Sequence, residues 1–106
     1  MTDVRDIQLG QVGQQVVFEN EHVRVWEITL APGESQTWHR HENPYLVMAL
    51  EGARNRIDPI DGGEPRRVSE ESGNVIFRPA GEVHMLTNEG DTTYRSRLVE
   101  LLTTSR

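Results

Sequence analysis

The stretch "GESQTWHRHENPYLVMALEG", Gly33 to Gly52, decides how this chain is read. Near its centre His39 and His41 stand two residues apart. On a strand that spacing puts both imidazoles on one face, about 6.6 to 6.8 Å apart along the chain. On a helix the same spacing would point them about 200° apart. Metal–imidazole bonds run about 2.0 to 2.1 Å, so two rings on one strand face can reach one ion. Taken alone, an H-x-H is as well explained by two solvent-facing histidines.

Working outward, turn signals bracket short apolar segments. "APG" (Ala31–Gly33), "EGA" (Glu51–Ala53), "DPIDGGEP" (Asp58–Pro65), "ESG" (Glu71–Gly73), "RPAGE" (Arg78–Glu82) and "NEGD" (Asn88–Asp91) all read as turns. Between them, "HVRVWEITL" alternates, with Val23 and Val25 on one face and Trp26, Ile28 and Leu30 on the other. "NVIFR" and "YRSRLVELL" have the same character, and no window carries a sustained helical period. Strands recurring at this spacing predict an all-β sandwich or barrel. Residues 1–15 carry little pattern and are expected to form a loose arm, with residues 16–106 as the single barrel domain.

Composition narrows the partners. The chain has 106 residues and a net charge of −6. That acidity speaks against nucleic acid, whose phosphates ask for a basic footprint. There are no cysteines, so no disulfide frame, thiolate ligand or cysteine nucleophile is available. The polar start "MTDVRDIQLG" lacks the basic and apolar regions of a signal peptide. The run "YLVMAL" is too short to span a bilayer. The expected setting is cytoplasmic, with no membrane partner.

Gly33, His39, His41, Tyr45 and Gly52 follow the order and spacing G-x5-H-x-H-x3,4-E-x6-G, with Tyr45 in the acid's place. Gly73, Pro79, Gly81, His84 and Asn88 follow G-x5-P-x-G-x2-H-x3-N at every fixed position. Together they resemble the two motifs of the cupin superfamily, in its small single-domain bacterial form. The resemblance implies a double-stranded β-helix, a jelly-roll barrel. It also implies that His39, His41 and His84 converge on one divalent transition metal (Fe, Zn, Ni or Mn) in the barrel mouth. Asn88 reads as a local hydrogen-bonding residue. The fourth histidine, His22, falls outside both motifs and reads as a surface residue.

Three readings follow from the missing carboxylate. The site is three neutral imidazoles with open positions, as in three-histidine cupin dioxygenases; or Glu42 substitutes, because "ENP" can break the strand alternation; or Tyr45 ligates as phenolate. In the first, the ion keeps its full charge and favours an anionic chelating ligand. Tyr45 is then the candidate catalytic or orienting group. Parity with the histidines makes Val47 and Leu86 pocket candidates, and Phe77 is a further candidate that this parity does not place. Arg54 and Arg56 are candidates for contact with a substrate anion. Leu46, Met48, Leu50 and Trp38 then point outward, which suggests a homodimer. The expected function is dioxygenase-type or related metal-assisted chemistry on a small metabolite, or non-catalytic binding of one.

Overall fold

A computed structural model of the chain describes residues 8–102. Among the described residues there are nine strands and no helix: β1 (Gln15–Glu19), β2 (Val23–Leu30), β3 (Ser35–Arg40), β4 (Tyr45–Glu51), β5 (Ala53–Pro59), β6 (Arg66–Glu70), β7 (Val75–Arg78), β8 (Val83–Asn88) and β9 (Tyr94–Leu101). They form two antiparallel sheets, ordered β1-β2-β9-β4-β7 and β3-β8-β5-β6. Strands adjacent in sequence repeatedly lie in different sheets. The result is the all-β jelly roll that the motifs imply.

Alternation builds the core. On β9, Tyr94, Ser96, Leu98 and Glu100 are buried while the residues between them are not. On β2, Trp26, Ile28 and Leu30 turn inward, and on β4 Tyr45 and Ala49 do so. Ile28 and Leu30 are almost fully enclosed, and each such side chain contributes about 1.5 to 3 kcal/mol by leaving water.

The loose arm expected over residues 1–15 is only partly described, because residues 1–7 lie outside the described residues. Residues 8–15 lie along the barrel. Gly10 donates its backbone N–H to Trp38, and the Gln36 side chain donates to the Gln11 carbonyl. Val12 enters the core, and Gln15 already belongs to β1. This segment lies against β3, an edge strand of its sheet, and takes up polar groups that an open edge would leave exposed.

Candidate metal centre

Strand register makes the site. β3 and β8 are neighbours, and His39 lies directly across from His84. His41 follows just past the end of β3, on the same face as His39, where its backbone N–H donates to Glu82. Its carbonyl accepts from Gly81, whose φ of 115° suits glycine far better than other residues. The chain around the second motif is thereby clamped onto the first. All three histidines are buried. Their ring centroids lie 4.7 to 4.8 Å apart, close to an equilateral triangle.

The ring nitrogens are sorted by their partners. His84 Nδ1 donates to Glu82 at 2.6 Å, and His39 Nδ1 donates to the Thr37 carbonyl at 2.6 Å. Each ring then carries its lone pair on Nε2. His41 Nε2 and His84 Nε2 are 3.0 Å apart, while buried His41 Nδ1 has no partner among the described residues. Two metal–nitrogen bonds of about 2.1 Å at a right angle span about 3.0 Å, so the spacing fits one shared ion. Among the described residues, this is the one group of three or more potential ligand side chains whose donor atoms lie close enough together to hold a metal.

The electrostatics keep the rings neutral. Burial lowers all three histidine pKa values, to about 4 for His39 and about 2 for His41, with the neighbouring histidines adding to the effect on both. Neutral imidazole is the form that ligates a metal. Glu82 is held down at about 2, chiefly by hydrogen bonds from Arg66 and then by His84, against its partial burial. Arg66 grips both Glu82 oxygens at 2.7 Å, a bidentate pair. The carboxylate is thus fixed where it orients the His84 ring. Replacing Glu82 by Ala is expected to weaken zinc binding about 10- to 100-fold, with Glu82→Gln intermediate. Competition against a chromophoric chelator reads this; unchanged affinity in Glu82→Ala would remove Glu82 from the site.

Tyr45, in the motif acid's place, is buried and stacks on His41 with centroids 3.8 Å apart and planes at 16°. Burial and then the Glu82 charge push its phenol up to about 12, with Arg78 and Arg66 opposing. At neutral pH it is a protonated donor and a brace for the His41 ring, not a ready phenolate. Glu42 is exposed, and the strand bend does not bring it to the histidines.

Val47 and Leu86 line the cavity with the histidines, as parity indicates. Phe77 does not; it is 56% exposed. The β4–β7 register pairs Val47 with Ile76 and Leu46 with Phe77, and residues directly opposite share a face. Ile76 therefore takes the inward place. Arg54 and Arg56 also point away, because Asn55 and Ile57 are the inward residues of β5. Arg54 is exposed on an outer groove, and Arg56 is held by Asp58 and Glu89. The basic residue lining the cavity is Arg78. Arg78 shares the strand face of Ile76, and only the β4–β7 register shows that this face is the inner one; the signal for Glu82 was its place two before His84.

Asn88 is fully buried and donates to the carbonyls of Leu30 and Thr92, the local role expected of it. His22 is exposed.

The family model for the cupin domain matches residues 26–99. Among solved structures, the fold is similar to a cupin domain from Bordetella pertussis Tohama I, at 27% identity and a TM-score of 0.77, covering 84% of this chain and 91% of that one. It is also similar to the polyketide cyclase RemF from Streptomyces resistomycificus, at 26% identity and a TM-score of 0.60; 79% of this chain matches 57% of that longer one. A cupin superfamily protein from Desulfitobacterium hafniense DCB-2 shares the fold at 16% identity and a TM-score of 0.65. No curated protein matches the chain.

Proposed function

This chain belongs to the cupin domain family, and on that premise we propose that it is a metal-binding cupin acting on a small anionic chelating metabolite by dioxygenase-type or related metal-assisted chemistry. The observation that carries this reading is the triangle of buried, neutral histidines, with Nε2 lone pairs left on His39 and His84 by their hydrogen bonds. His39, His41 and His84 would hold the ion. A divalent metal there supplies Lewis acidity or, for a redox-active ion, oxygen chemistry. The chain's own part is to orient and enclose. Glu82 fixes His84, Tyr45 braces His41 and carries a protonated phenol that would hydrogen-bond a bound ligand, and Val47, Ile76 and Leu86 restrict water.

The space open to water in the cavity is about 50 Å³, room for a few waters. A small ligand suits it. Non-catalytic binding of such a metabolite is the second reading. It is favoured by the cavity's lining: among the described residues the only acid–base groups there are the histidines, Tyr45, Tyr94 and Glu70, the last already held by Asn55 and Tyr94.

Metal analysis of protein purified without chelators tests the first step, and oxygen uptake with iron(II) and a panel of diketones, thiols and carboxylates tests the second. Uptake that disappears in His84→Ala supports the enzyme. Tight binding of one carboxylate with no turnover supports the binder. Stoichiometric metal retained after His39 and His41 are both changed to Ala would sink the metal site itself.

The homodimer is likewise a proposal. Phe18, Val25, Val99, Leu46 and Phe77 pair in register across all five strands of the first sheet, giving one apolar row on its outer face. Phe18 and Phe77, at its two ends, are more than half exposed. Such a row is suited to a second copy. Phe77→Glu is expected to turn a dimer into a monomer in sedimentation; wild-type protein that already sediments as a monomer would end the idea.

A further inference from the structure

We propose that Arg78 captures the anionic end of the ligand, and that the ligand it selects is a small carboxylate; this rests on the metal-site reading above.

Position comes first. Arg78 is the last residue of β7 and pairs with Tyr45 across the β4–β7 ladder. Tyr45 in turn lies flat on His41. Arg78 and Tyr45 are the two residues that line both the histidine cavity and the adjoining outer cleft formed with Arg66, Pro79, Ala80 and Glu82. A ligand passing from the outer cleft to the histidines passes Arg78.

Charge accounting comes second. The partly buried arginines Arg24, Arg56, Arg66, Arg95 and Arg97 each pair with at least one carboxylate. Among the described residues, Arg78 is the one partly buried arginine that pairs with none. The one carboxylate of the outer cleft among the described residues, Glu82, is already engaged by two guanidinium nitrogens of Arg66 and by His84. A half-buried guanidinium without a partner is a recognition group awaiting an anion, and its planar fork matches a carboxylate. Three neutral ligands leave a divalent ion uncompensated, so the inner charge asks for the same partner.

The test uses cobalt(II) as the metal and malonate as the carboxylate. Cobalt is loaded onto the wild-type chain, and malonate is titrated while the visible spectrum of the ion is followed. Arg78→Gln is expected to raise the malonate Kd about 10- to 100-fold. Arg78→Lys recovers part of that loss. Cobalt affinity stays within about twofold in both variants, because Arg78 is not one of the three ligand side chains. Neutral imidazole, titrated as a second cobalt ligand, binds wild type and Arg78→Gln alike. Equal malonate affinity in wild type and Arg78→Gln overturns the assignment while leaving the metal site standing, as does cobalt-loaded wild type that ignores malonate. Wild type that takes up no cobalt overturns the metal site, and the assignment falls with it.

Discussion

Taking the metal-free protein from pH 7 to pH 4 is expected to remove about 5 kcal/mol or more of folding stability, comparable to the whole margin of a small domain. The cause is the histidine triangle. In the folded chain burial holds His39 at about 4 and His41 at about 2, and also lowers His84. In the unfolded chain each ring takes up its proton near pH 6.5. The unfolded state therefore binds more protons across this window, and stability falls as pH falls. The loss begins near pH 6.5 and grows by about 1.4 kcal/mol per pH unit for each ring still neutral when folded. For His39 it levels off near pH 4; for His41 it continues lower. Glu82, whose folded pKa is also lowered, acts in the same direction. Its contribution is complete above about pH 4.5 and is lost as pH falls toward about 2, so it lies mainly below this window. Urea midpoints at half-unit pH steps measure the slope. A midpoint unchanged between pH 7 and pH 5 contradicts burial of neutral rings.

Gly52→Ala is expected to cost about 3 kcal/mol or more, among the largest effects of adding one methyl group anywhere in the chain. A Cβ there would lie 2.1 Å from the Glu70 carbonyl oxygen and 2.9 Å from Glu71 Cα. Both are backbone atoms, so no side chain can swing aside. The crowding has a topological origin. At Gly52 the chain leaves β4 in one sheet for β5 in the other, and just after Glu70 it returns from β6 toward β7. Two crossings between sheets touch at this one glycine. Gly33 is the contrast: a Cβ there meets nothing within 4 Å, and only its φ of 86° opposes a side chain. Gly33→Ala should therefore lose only about 1 to 2 kcal/mol. Chemical denaturation of the two variants side by side checks the ranking. Equal losses would mean that the corner relaxes and that the close approach is not what requires glycine.

The fold and the three histidines were legible because they are written in local spacing. An i, i+2 pair on a strand has one geometric outcome, and fixed glycines and prolines punctuate the turns around it. What was misread depended on pairing between distant strands. Nothing in "NVIFR" says whether Ile76 or Phe77 faces inward; the register against Val47 decides it. The same holds for the arginines. Arg54 and Arg56 flank Asn55 on β5, and the burial of Asn55 turns both outward. Arg78 looked like part of a turn until β4 and β7 placed it beside Tyr45. The acid of the first motif was also not simply lost. Glu82 supplies a carboxylate from the other motif, acting on the outer nitrogen of His84.

The pairing of His41 with His84 has one more consequence. The two residues stand 43 positions apart in the chain, and their Nε2 atoms meet at 3.0 Å. An ion held between them would close that loop as a covalent staple does, restricting the unfolded chain most where the spacing is long. This sequence has no cysteine with which to make such a closure. Its cross-link would instead be reversible, set by the supply of metal rather than by the redox state of its surroundings.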